Sequence, residues 1–225
     1  MAQLWDITPS LSGSTPTYPG DTPFGFHWTQ EVKNRALANV STITLSPHVG
    51  AHVDAPLHLS DRGHDVSQYP IETFLGPCIV IDVTDDLPNK IPVGAMLGTE
   101  YLTDEAKEAM RSGISRVLFK TRKTRCTEWT DAYCALTPEL VQTFVFRDIK
   151  LVGIDTPSID PANCEKFYYA PNKLYAHWIA FNGGMAILEN LDLSAVSAGI
   201  YELIAMPLPL RGVEASPVRA VLRKL

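Results

Sequence analysis

The stretch from Ser46 to His58, S-P-H-V-G-A-H-V-D-A-P-L-H, constrains the chain most, because three of its six histidines and an aspartate fall within eleven residues. His48, His52, Asp54 and His58 stand at i, i+4, i+6 and i+10, an even parity that puts them on one side of an extended chain. A helix fits worse. At about 100° per residue Asp54 would lie about 240° round from His48, and Pro47, Gly50 and Pro56 all oppose a continuous helix. A straight strand fails too, since the span from His48 to Asp54 is roughly 20 Å extended, against ~2 Å for a bond to one ion. The segment must therefore bend, and Gly50 permits the bend. The pattern predicts a short, kinked strand running into a loop.

Two imidazoles and a carboxylate suit Zn²⁺ or Mn²⁺, and three protein ligands with an open position are what a catalytic metal requires. On this reading His48, His52 and Asp54 are ligands and His58 stands just outside. The alternative is a set of ordinary polar residues on a strand edge, which four such groups of common parity make the poorer description.

The rest of the chain sets the frame. Its 225 residues, 45% of them hydrophobic, are enough to bury a large core and fit one domain over 1–225. A net charge of −6 with scattered Lys and Arg offers no surface for a nucleic-acid backbone. No run approaches the ~18 apolar residues needed to span a bilayer, and M-A-Q-L-W-D-I-T lacks a basic segment followed by an apolar one, so a soluble, cytoplasmic protein without membrane partners is expected. Cys78, Cys126, Cys134 and Cys164 are widely separated, with no C-x-x-C pair, which predicts reduced, structural thiols.

Strands are expected at Leu4–Ile7, Val40–Leu45, Pro77–Val83, Val117–Thr121, Lys150–Asp155, Met185–Leu188, Tyr201–Pro207 and Val218–Leu222. Helices are expected over Thr103–Arg111, with Thr103 as N-cap and Gly113 as terminator, and from Thr137, where Pro138 takes the first helical position. The alternation indicates a mixed α/β core. Pro19-Gly20-Asp21 marks a turn, and the proline-rich loop around it presents Tyr18 either as a rigid aromatic wall for a ligand or as a locally packed surface residue. Asp61 to Asp65 reads as a solvated turn, His64 included. His177 and Glu189 are the distant candidates for further metal ligands. Glu189 closes the apolar run A-I-L-E, where a carboxylate must be paired, hydrogen-bonded or metal-bound to stay charged. An exposed strand-end acid and a core histidine remain the alternatives.

Several pieces together, D-I-T-P-S, Y-P-G-D-T-P-F, H-V-G-A-H-V-D-A-P-L-H, F-L-G-P-C-I-V-I-D-V, G-I-D-T-P-S-I-D-P, A-I-L-E-N-L, Y-E-L-I-A-M-P-L and A-S-P-V-R-A-V-L-R, resemble the metal-dependent cyclase-like amidohydrolases, and within them the bacterial kynurenine formamidases. The resemblance runs nearly end to end. It implies a swivelling β/β/α domain that forms homodimers and holds two Zn²⁺ per subunit, with Mn²⁺ as the other candidate ion. It places His48, His52 and Asp54 on the first metal, His177 on the second, and Asp54 and Glu189 as bridges. His58 becomes the catalytic acid and base. Tyr18 stands where the formamidases usually have a substrate-contacting tryptophan, Trp178 stands where a second histidine commonly follows the ligand, and the regions 94–137 and 163–175 look longer than in the family.

The expected reaction is hydrolysis of N-formyl-L-kynurenine to kynurenine and formate by water activated at the metal, with His58 relaying a proton to the departing aniline nitrogen. The absence of a G-x-S-x-G elbow argues against a serine-hydrolase route. Two rivals stand beside it. One is a hydrolase of the same family that opens a cyclic amide or lactone such as isatin, and the other is a non-catalytic small-molecule-binding protein on the same scaffold.

Overall fold

The computed structural model of the protein describes residues 2–162, 164–167 and 173–225. Its strands are β1 (Leu4–Asp6), β2 (Gly25–Gln30), β3 (Val40–Thr44), β4 (His52–Asp54), β5 (Leu75–Asp82), β6 (Met96–Leu97), β7 (Arg116–Lys120), β8 (Ala135–Leu136), β9 (Leu151–Ile154), β10 (Ala186–Glu189), β11 (Gly199–Ile204), β12 (Ala215–Pro217) and β13 (Val221–Lys224). Its α-helices are α1 (Asp104–Arg111), α2 (Pro138–Phe146), α3 (Cys164–Phe167) and α4 (Tyr175–Asn182). Among the described residues, no helix is long and apolar enough to cross a membrane.

Nine of the strands form one sheet in the order β1-β13-β11-β5-β7-β9-β10-β4-β12. Its centre, β5-β7-β9-β10, is parallel, and both flanks are antiparallel. The central strands read as near-continuous apolar runs because both of their faces are buried. Ile79, Val117, Val152 and Ile187 align in register across them and face α1, α2 and α4. Val80, Leu118 and Leu188 point the other way, into a second core with Val53, Phe74 and Leu203. Gly153 lies between Leu118 and Leu188. A Cβ there would come within 2.4 Å of Leu118 Cδ2, so this register leaves room only for hydrogen.

The helices start where side chains can cap them. Thr103 and Thr137 accept the backbone N–H of Ala106 and Leu140, and Gly113 follows α1 at φ 98°. Both helices agree with the sequence expectation.

The short elements β2, β6, β8, β12 and α3 were not expected, and three further features differ. Val40–Thr44 does form a strand, but it pairs with an unexpected partner, β2, in a separate and largely exposed hairpin. The expected last strand splits in two: Val218 makes a single bridge to Pro207, and β13 begins only at Val221. Between them Ala220 is held by Thr8 and Ile7, which steers the chain from β12 across to β1. Helix α4 has no periodic signature because the apolar residues of Y-A-H-W-I-A-F-N are spread around it rather than gathered on one face. Of the segment 163–175, residues 163 and 168–172 lie outside the described residues.

Candidate metal centre

The site is assembled at the junction of β4, β10 and α4. Strand β4 puts His52 and Asp54 on one face, while Val53 between them turns into the core. Its antiparallel pairing with β10 sets Glu189 opposite His52. Gly50, at φ 73°, makes the expected bend and folds His48 back toward the strand. The shared even parity therefore describes only His52 and Asp54 on the strand: His48 sits in a turn, and His58 ends a 3-10 helix spanning Pro56–His58. His177 enters from the first turn of α4 and is buried.

Five side chains converge. Asp54 Oδ1 lies 3.0 Å from His48 Nδ1 and 3.3 Å from His52 Nε2. Its Oδ2 lies 3.4 Å from His177 Nε2. Glu189 approaches His52 Nε2 at 3.4 Å and His177 Nε2 at 3.3 Å. The ligand atoms of His48, His52 and Asp54 all lie within 4.8 Å of one another, as do those of Asp54, His177 and Glu189, and Asp54 belongs to both groups.

Yet among the described residues His52 Nε2 and both oxygens of Asp54 are buried without a hydrogen-bond partner. Buried polar atoms left unsatisfied are costly, and here they are nitrogen and carboxylate oxygen aimed at a common centre. This donor set fits a divalent cation of the zinc or manganese type.

The electrostatics say the same. Burial alone would push the His52 imidazole down, but the charges of Asp54 and Glu189 outweigh it and raise the ring to about 10. Burial raises Asp54 as well, and the surrounding His52, His177 and His48 more than reverse this, holding the carboxylate well below its usual range. Two adjacent buried carboxylates demand positive charge, and a metal ion would take the place of ring protons.

Outside this group, the His58 ring centroid lies 4.5 Å from that of His48 and 5.8 Å from that of His177. Burial lowers its pKa to about 4. Tyr18 is 57% exposed at the rim of a cleft of about 540 Å³ that opens onto the metal-type residues. Its ring stands edge-on to Trp129 at 5.3 Å. Trp178 is exposed and faces a separate hollow beside Leu59 and Tyr175. Among the described residues His64 joins neither group of candidate ligands, and its Nδ1 lies 3.1 Å from the Asp65 carbonyl.

Three cleft residues, Trp129, Tyr133 and Glu214, and the buried Asp160 behind His177 escaped the sequence reading. Trp129 and Tyr133 carry no local signal that marks them for a site. Asp160 lies within the S-I-D-P piece and Glu214 directly precedes A-S-P, so both were open to view only as acids next to family-like segments. Asp160 Oδ2 lies 2.8 Å from His177 Nδ1, and Glu214 Oε1 lies 3.4 Å from His48 Nε2.

Comparison with known proteins adds three findings. Residues 5–161 match the putative cyclase family. The kynurenine formamidases of Bordetella petrii and Bordetella pertussis are each 41% identical over 226 residues, covering 100% of this chain and 100% of theirs. Isatin hydrolase A from Labrenzia aggregata shares the fold, with a TM-score of 0.80 at 24% identity over 99% of this chain and 94% of that one.

Proposed function

The chain belongs to the cyclase family, and from that premise we propose that it is an arylformamidase, hydrolysing N-formyl-L-kynurenine to L-kynurenine and formate in tryptophan breakdown. The observation that carries this reading is 41% identity to kynurenine formamidases along the whole of both chains. The isatin alternative draws on likeness of fold alone. We read residues 1–225 as a single hydrolase domain, supported by the one sheet that links the N-terminal β1 to the C-terminal β13.

His48, His52 and Asp54 would hold one divalent cation, and Asp54, His177 and Glu189 a second. Zn²⁺ suits this imidazole and carboxylate set, with Mn²⁺ as the other candidate. When bound, such an ion polarises a carbonyl oxygen and lowers the pKa of water toward ~7. The chain's own residues do the rest. His58, its ring centroid 4.5 Å from that of His48, stands where it can take the proton of the attacking water and deliver it to the aniline nitrogen, which leaves poorly as an anion. Tyr18 and Trp129 form the aromatic rim against which an aryl ring can pack.

A homodimer is part of the same reading. The hairpin β2–β3 exposes Phe26, Trp28, Val40 and Ile43, with Phe26 and Trp28 edge-to-face, and an exposed apolar patch of this kind suits a second copy of the chain. Trp28→Glu should shift the sedimentation of the protein from dimer to monomer. Cys78, Cys126 and Cys134 carry free thiols, which agrees with the cytoplasmic location expected from the sequence.

The deciding assay gives the purified, zinc-loaded protein formylkynurenine and isatin side by side. Release of kynurenine and formate with kcat/KM on the order of 10⁴ M⁻¹s⁻¹ or above is expected. Opening of isatin with no action on formylkynurenine would replace the formamidase reading, and binding of both without turnover would replace catalysis by binding.

A further inference from the structure

Each of the three converging imidazoles has its second nitrogen beside an acceptor. His52 Nδ1 faces the carbonyl of Gly50 at 2.8 Å, and His48 Nε2 faces the half-exposed Glu214 at 3.4 Å. Only His177 has a buried carboxylate, Asp160, at 2.8 Å. We propose that Asp160 is a positioning residue that fixes the tautomer and orientation of His177, keeping its Nε2 unprotonated and aimed between Asp54 and Glu189.

The geometry around Asp160 is that of a fixed anchor. Its Oδ1 accepts the N–H of Ala176 at 3.0 Å, and its Oδ2 accepts the N–H of His177 at 3.0 Å as well as the ring. These two N–H groups belong to the first turn of α4, whose own N-cap, Leu174, supplies no side-chain acceptor. One carboxylate from a distant loop thus caps the helix and grips the imidazole that the helix carries. The loop is itself tied down. Tyr133 Oη donates to the Asp160 carbonyl at 2.9 Å, and the Asp160 N–H donates to Ser158 Oγ at 3.1 Å. The preceding residue orients the other side of the same group, since Ile159 N–H donates to Glu189 Oε1 at 2.7 Å. Two consecutive residues therefore set one imidazole and one carboxylate. A carboxylate partner also makes a ligating imidazole more basic than a carbonyl partner does.

The proposal rests on the metal reading of the site, and its test reads metal affinity rather than turnover. Zn²⁺ is titrated into the full-length, metal-stripped protein against a chelator. Asp160→Asn offers one acceptor oxygen in place of two, and the variant is expected to hold Zn²⁺ about 10–100-fold more weakly. In the His177→Ala background the same change should cost nothing more, because its effect passes through His177. Wild-type affinity in Asp160→Asn, a lowered Tm alone, or additive losses in the double variant would each overturn the assignment. A wild type that binds no Zn²⁺ would sink the metal reading together with it. Should the variant fail to fold, ¹⁵N-histidine spectra of the zinc-loaded wild type decide: a protonated Nδ1 on His177 is expected, and a metal-bound Nδ1 overturns the proposal.

Discussion

Glu189 stands directly across from His52 in the pairing of β10 with β4, and the two side chains meet with Oε2 3.4 Å from Nε2. In a sheet a slip of one residue would send one of them to the opposite face, so the register of two four-residue-or-shorter strands determines whether the cluster exists. Asp54 then joins the groups on either side of it, which leads to the first prediction.

Asp54→Ala should lose all bound metal, because Asp54 is the one residue common to both groups and two nearby cations repel without a shared anion. His177→Ala should lose only part. Elemental analysis of the purified variants checks this, and full metal content in Asp54→Ala would remove the bridging role.

His58→Ala should keep its metal and its Tm while turnover falls on the order of 10²-fold or more, as expected for loss of a proton-transferring group. Metal lost in step with activity would make His58 a ligand.

Tyr18→Ala should raise KM for formylkynurenine with kcat affected less, the pattern of lost uniform binding. One ring interaction is worth roughly 0.5–1.5 kcal/mol beyond area burial, so a change of about 2- to 12-fold is the scale. Trp129→Ala should act alike, since the two rings brace each other. Tyr18→Trp should be tolerated. Unchanged KM in both alanine variants would take the aromatic rim out of substrate binding.

Gly50→Ala tests the bend. A side chain at φ 73° is strained by roughly 1–2 kcal/mol, and relaxing it would move His48 away from Asp54. Lower Tm together with weaker Zn²⁺ binding is expected. A variant with wild-type affinity would show that His48 does not depend on this turn.

Asp155, away from the metal cluster, predicts a pH effect on stability. Burial raises its pKa to about 6 from 3.8, although Thr121 and the Arg122 N–H hydrogen-bond to it. The folded state thus favours the protonated acid, a contribution present below pH ~4 and lost as pH rises through ~6. Asparagine can accept the two N–H groups with its oxygen and donate to Thr121 Oγ1 with its amide. Asp155→Asn should therefore gain stability relative to wild type between pH 4 and 6, by an amount on the order of 3 kcal/mol. Urea unfolding at both pH values measures it, and a constant gap between the two proteins would refute the shift.

What was legible in the sequence was local. The apolar runs of β5, β7, β9 and β10, the threonine caps of α1 and α2 and the need for a bend at Gly50 follow from period, capping and steric rules that act within a few residues. Family-like segments extended this to distant ligands, placing His177 and Glu189 beside His48, His52 and Asp54 before any fold was in view. Tertiary structure alone decided which backbone carried them. His177 lies on a helix whose mostly apolar sequence has no period to read, and its anchor Asp160 comes from a loop 17 residues earlier in the chain. The strand at Val40 was visible, but its pairing with β2 outside the main sheet was not, because a strand's own residues do not specify which edge it joins. Trp129 meets Tyr18 only because two loops fold over the same cleft. Patterns within one segment record how that segment meets a core, whereas the meeting of side chains from separate segments depends on register and loop closure that no single segment encodes.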